Sequence, residues 1–154
     1  KLLLAVASIA PVIVIAATPA PAAPAAAIPP NPTVSFQCAG PGEVCGPLRS
    51  AVQDAMDREG VSMARGAADI VLTAQVSVLD ERADRQFGTT FVVRTYSIEM
   101  EGDSPRFNVV VPMPPSRTFS ADARLGAERF NENARVAATA AAERVRAFWK
   151  KRTP

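Results

Sequence analysis

The chain has 154 residues, 17 Lys+Arg against 15 Asp+Glu, two cysteines and no histidine. A net charge of +2 gives no electrostatic reason to expect nucleic acid, an anionic membrane or an acidic substrate as partner. Without histidine the commonest general base, proton shuttle and metal ligand is missing, and the only lysines, Lys1, Lys150 and Lys151, are terminal, which weighs against hydrolase chemistry and leaves no buried Ser/Lys pair.

No charged side chain lies between Lys1 and Glu43. That gap divides into an apolar run, Leu2 to Ala17, and an Ala/Pro-rich stretch, Thr18 to Pro32. The run contains Pro11 and is shorter than the roughly 20 residues of a membrane-spanning helix. Lys1 supplies a positive flank, and Ile15-Ala16-Ala17 or Ala25-Ala26-Ala27 offers small residues for processing. Residues 1–27 therefore read as an export signal, or as an uncleaved anchor with a stiff spacer, and residues 28–154 as one globular domain. No cysteine directly follows the apolar run, which speaks against a lipid anchor. The expected location is periplasmic or secreted, with membrane association only if the leading segment stays uncleaved.

Thr33-Val34-Ser35-Phe36-Gln37-Cys38 alternates apolar and polar side chains and reads as a first strand. Cys38 and Cys45, separated by six residues, are expected to pair as a structural disulfide in an oxidising compartment. The spacing is not that of a thioredoxin-type pair, and two thiols without histidine do not make an ordinary zinc site. The intervening Gly40-Pro41-Gly42 lacks the Gly-Lys-Ser/Thr of a phosphate loop, and Glu43 repels phosphate. A helix follows, with Pro47 suited to its first turn, Leu48, Val52, Ala55 and Met56 at helical spacing, and Gly60 placed to end it.

After the short Val61-Ser62-Met63, the segment Ala68 to Leu79 alternates strictly and is the clearest strand of the chain. The charged Asp80-Glu81-Arg82-Ala83-Asp84-Arg85 is expected at a solvated hairpin tip, with Phe87 to Met100 returning as a second long strand. In that return Phe91 and Val93 lie on one face and Tyr96, Ile98 and Met100 on the other, a change of phase that a bulge near Arg94 reconciles. Arg106 to Val111 forms a further strand, completing an antiparallel meander, and Pro112-Met113-Pro114-Pro115 ends it. Ser120 or Asp122 is read as the cap of a last helix over Ala121 to about Lys151, its inward stripe Leu125, Phe130, Ala134, Ala137, Ala141, Val145 and Phe148.

The predicted fold is α+β: a mixed sheet of about four strands in βαβββα order, with two helices on one face and the first and second strands, joined by the strand-helix-strand crossover, parallel. Within it, the run Gly60 to Val78, GVSMARGAADIVLTAQVSV, carries a resemblance, over roughly residues 33 to 111, to small periplasmic domains such as the amino-terminal domain of the Tol-system translocation protein and the outer-membrane activators of penicillin-binding proteins. The resemblance implies a non-enzymatic envelope module that docks onto other proteins.

No catalytic residue, metal ligand or cofactor is assigned. Paired carboxylates are conceivable among Asp69, Asp80, Glu81, Asp84, Glu99, Glu101 and Asp103, although these fall mostly at turns and strand ends. The candidate partner contact is the basic carboxyl-terminal end of the last helix, Arg144, Arg146, Trp149, Lys150, Lys151 and Arg152, with Trp149 expected partly exposed. The leading functional reading is an exported protein-binding module whose partner is an envelope protein. The alternatives are a carrier of a small apolar or envelope ligand, which needs a cavity between sheet and last helix, and a small hydrolase using carboxylates.

Overall fold

The computed structural model describes residues 28–86, 88–122 and 126–153. The expected export segment, Phe87 and Leu125 lie outside them. Eight elements follow one another: β1 (Thr33–Ala39), α1 (Gly42–Arg58), β2 (Ser62–Met63), β3 (Ile70–Gln86), β4 (Thr89–Ser104), β5 (Val109–Val111), β6 (Arg117–Asp122) and α2 (Ala127–Lys150). The fold is mixed α+β, one open sheet in the order β2-β1-β3-β4-β5 with β6 also paired to β4. β1 runs parallel to both β2 and β3, while β3, β4, β5 and β6 pair antiparallel.

Alternation along the central strands sets which face is covered. Val34, Phe36, Ile70, Leu72, Ala74, Val76, Tyr96, Ile98 and Met100 are buried beneath the two helices, each at every second position as a strand requires. From α1 come Val44, Leu48, Ala51, Val52, Ala55 and Met56. From α2 come Phe130, Ala134, Ala137, Ala141, Val145 and Phe148 of the predicted stripe, joined by Asn133, Ala138, Ala142 and Trp149. The small alanines bring the α2 backbone close to α1, so the helices pack tightly on each other as well as on the sheet.

The loop between β1 and α1 is fixed covalently and sterically. Cys38 and Cys45 form the predicted disulfide, with Cα atoms 5.8 Å apart. Gly40 has φ +140°, and a Cβ there would sit 2.4 Å from the Val76 carbonyl oxygen. α1 starts at Gly42, earlier than Pro47 suggested, because Val44 and Cys45 N–H both donate to the Pro41 carbonyl and close the first turn ahead of it. Pro47 then removes only one intrahelical bond, that to the residue four before it. At the other end Gly60 (φ +69°) behaves as predicted: its N–H donates to Asp57 and that of Val61 to Met56, the paired bonds of a Schellman cap.

Four elements depart from the sequence expectation. β3 begins at Ile70 and does not stop at Leu79; it runs through the charged stretch to Gln86, paired in register with β4 as far as Thr89, and the chain reverses at Gly88 (φ +79°). Glu81 lies opposite Arg94 and the two are joined at 2.6 Å, so charges that suggested a tip act as cross-strand partners on a ribbon wetted on both faces. The irregularity in this pair falls between Val78 and Asp80, opposite Tyr96 and Thr95 and so beside Arg94 as expected, with the extra residue, Leu79, on β3. The strand expected from Arg106 begins only at Val109, because residues 105–108 form a turn with Asn108 at φ +52°. Ser120, Ala121 and Asp122 neither cap nor start the last helix: they belong to β6, paired with β4 from Val93 to Ile98. With β2 and β6 included, the sheet has six strands where about four were read.

Candidate functional site

The basic end of α2 is largely engaged within the fold. Trp149, expected partly exposed, is fully buried, and its indole N–H donates to the Pro29 carbonyl at 3.0 Å. Its ring packs on Phe107, 5.5 Å between centroids, which occupies the turn before β5. Arg152 lies over the Phe148 ring at 3.8 Å and faces Phe107 at 5.5 Å, and Arg146 donates to the Asn31 side chain at 3.0 Å. Only Arg144, Lys150 and Lys151 of the six predicted contact residues are exposed. The burial of Trp149 was not legible because its partner is a main-chain carbonyl 120 positions away.

Of the candidate carboxylates, Asp69 and Glu81 are drawn into the scaffold, while Asp80, Glu99, Glu101 and Asp103 are exposed. Asp69 accepts from the Thr33 N–H and hydroxyl, both at 2.9 Å, and pairs with Arg106 at 2.9 Å, while the Ser104 hydroxyl donates to its carbonyl oxygen. Burial alone would raise the Asp69 pKa; the hydrogen bonds from Thr33 and Arg106 outweigh it and hold the carboxyl below its ordinary value. This cluster ties the starts of β1 and β3 to the end of β4. A second cluster gathers at the amino-terminal end of α1, where Arg94 pairs with Glu81 and, at 3.7 Å, with Glu43. Glu81 first, and then the Tyr96 phenol, raise the Arg94 pKa; the Tyr96 hydroxyl itself is buried without a well-formed hydrogen bond. Among the described residues no group of three or more metal-ligating side chains converges.

A groove lies between the sheet edge and α2. β5 and β6 both line the same edge of β4, β5 along Gly102 to Ser104 and β6 along Val93 to Ile98. Between them residues 112–116 face only three β4 residues, Glu99 to Glu101, and three of the five are prolines with no N–H to donate. The segment therefore stands off from the sheet. The gap is a half-open groove of about 390 Å³, floored by Ile98, Met100 and Ala137 and walled by Pro114, Pro115, Ala140 and the exposed Val136. Asn133, buried on α2, accepts from Arg117 at 2.6 Å and holds β6 against the helix at the groove's end. The groove sits where the sequence required a cavity for the carrier reading. Its sequence signals are the small alanines of α2, Ala137 and Ala140 among them, and the proline cluster, whose role was read as strand termination.

No family model matches the chain, and no curated protein matches it. Solved structures similar to it include a minor lipoprotein from Acinetobacter baumannii, 14% identical over 79% of this chain and 95% of that one, with a TM-score of 0.38. A lipoprotein from Neisseria meningitidis is 12% identical over 60% and 84%, TM-score 0.40. A Xanthomonas campestris protein described under family model DUF330 is 17% identical over 88% and 94%, TM-score 0.48. Two of these three structures are lipoproteins, and none of the three is the Tol-system domain or a penicillin-binding-protein activator.

Proposed function

We propose that this chain is an exported, non-enzymatic module that binds another protein of the cell envelope, and that the groove between α2 and residues 112–116 receives an apolar side chain or helix face of that partner. The observation that carries this reading is the half-open groove with buried Ile98 and Met100 on its floor and Val136, 44% exposed, on its rim. A groove open along one side excludes water only when a larger surface closes over it, which is how a few apolar anchors come to dominate a protein interface. The ionisable clusters support the non-enzymatic part: Asp69 and Arg94 are held by their neighbours within the scaffold. A photo-cross-linking residue at Val136 should capture one reproducible envelope protein in intact cells, while the same residue at the exposed Thr139 should not. Equal capture at both positions would remove the groove from the interface.

The same groove gives the carrier reading a specific footing, since its volume falls within the range of small-molecule sites. Ala140→Trp fills the groove. If organic extracts of the purified protein contain an apolar molecule that this variant lacks, the carrier reading replaces the protein-docking one.

A further inference from the structure

The opposite border of the sheet is open in a different way. Ser62 N–H donates to the Pro32 carbonyl and Ala64 N–H to that of Val34, so the even-numbered residues of β1 turn their main-chain groups toward β2. The Thr33 N–H, by contrast, is bonded to Asp69 on the β3 side. β2 ends at Met63, opposite Val34. The next even-numbered residues, Phe36 and Cys38, thus present main-chain donors and acceptors to a border where no described strand follows. An unpaired row of this kind is a template for an added strand.

A cleft of about 750 Å³ runs along this border. Arg49 and Gln53 of α1 enter it from the helix layer, Gln37 from the strand, and Arg65 from the connection between β2 and β3. The Arg49 guanidinium lies over the Phe36 ring, 5.9 Å from its centroid, and the residue is exposed. No carboxylate lines the cleft. It therefore combines unpaired β-strand main chain with two exposed arginines, whose planar forks suit carboxylates.

We propose that the open border of β1 is a strand-addition site for an extended, acidic peptide segment of a partner protein. Main-chain pairing at Phe36 and Cys38 supplies the register-setting bonds, and Arg49 and Arg65 select carboxylate side chains of the added strand. The site lies at the β1/β2 border, away from the groove beside β6, so it stands or falls independently of the docking reading above.

The test uses a fluorescein-labelled, end-blocked peptide of sequence EVEEVEV, its lysine counterpart KVKKVKV, and a version of the acidic peptide N-methylated at alternate residues, with binding read by fluorescence anisotropy. The acidic peptide should bind, weaken as ionic strength is raised, and lose at least about tenfold in affinity on Arg49→Glu with Arg65→Glu, and N-methylation should abolish the complex. Both arginines are exposed, and an unchanged circular dichroism melt shows the variant folded. Equal binding of the lysine peptide, indifference to charge reversal or to N-methylation, or no binding up to about 1 mM peptide each overturns the proposal. Sedimentation velocity of the protein alone completes it: a dimer that the double reversal dissociates assigns the border to a second copy of this chain, and also overturns it.

Discussion

Opening the Cys38–Cys45 bridge is the perturbation whose size the chain itself sets. The cysteines are seven positions apart, so the bond closes a loop of eight residues, counting both. In the chain-entropy relation this removes about 8 cal/mol/K from the unfolded state, or about 2.5 kcal/mol at 25 °C. Unfolding the roughly 126 residues from Ile28 to Thr153 carries an entropy of about 0.26 kcal/mol/K, at about 2.1 cal/mol/K per residue. The ratio predicts a fall in Tm of about 9 °C. The assay is thermal unfolding followed by circular dichroism, comparing the oxidised protein, the protein in reductant, and a Cys38→Ala, Cys45→Ala double variant. Reduction and substitution should agree, because the native loop is also held by Gly40 against Val76 and by the Pro41 carbonyl at the helix start. A shift under about 2 °C would refute the argument, since the bridge would then place no constraint on the unfolded chain. Loss of the native fold on reduction would refute it in the other direction, showing the bond to be required for the β1–α1 connection itself.

Two further outcomes follow from one buried and one part-buried position. Ala141 is fully buried on the face of α2 that meets the core, so Ala141→Trp should destabilise by about 1 to 3 kcal/mol through overpacking, and an unchanged melting temperature would mean that this face is misassigned. Asp69 has a folded pKa below its ordinary 3.8, so its contribution to stability is present above that value and is lost as pH falls through the lower folded one. Asp69→Asn should therefore be less stable than the native protein at neutral pH, with the gap narrowing below about pH 3.8. A gap that does not change with pH would show that the carboxylate's charge is not what Thr33 and Arg106 hold.

Much of the fold was legible because its elements carry strong local signals. The alternation of Thr33 to Cys38 and of Ile70 to Val78, the Gly60 cap and the alanine-rich stripe from Phe130 to Phe148 each define their element without outside help. β6 carried no such signal. Its alternation rests on Phe119 and Ala121 alone, and Ser120 and Asp122, which serve as strand residues, are equally good helix caps. What decides between the two is the unoccupied edge of β4, and the sequence contains that edge only through tertiary pairing. The charged half of β3 was obscured for a related reason: cross-strand pairing of Glu81 with Arg94 is a contact between residues thirteen apart. Of the candidate site, the basic residues were found but their engagement was not, since Arg152 and Arg146 meet Phe107 and Asn31 only after the chain closes. A cavity between sheet and last helix was within reach of the sequence, but its outer wall was not, because prolines 112, 114 and 115 announce the end of one strand and say nothing of the strand that resumes after them.

The bond from the Trp149 indole to the Pro29 carbonyl, with Arg146 on Asn31 beside it, has a mechanical meaning. The last turns of α2 clasp the segment of residues 28 to 31 and hold it beside the end of that helix. A pull on that segment loads the clasp before it reaches β1, and the clasp is two hydrogen bonds around one buried ring. Tension would therefore detach Pro29 and wet the indole while the sheet stays paired, making the fluorescence of the chain's single tryptophan a strain gauge for whatever holds the protein by its leading segment.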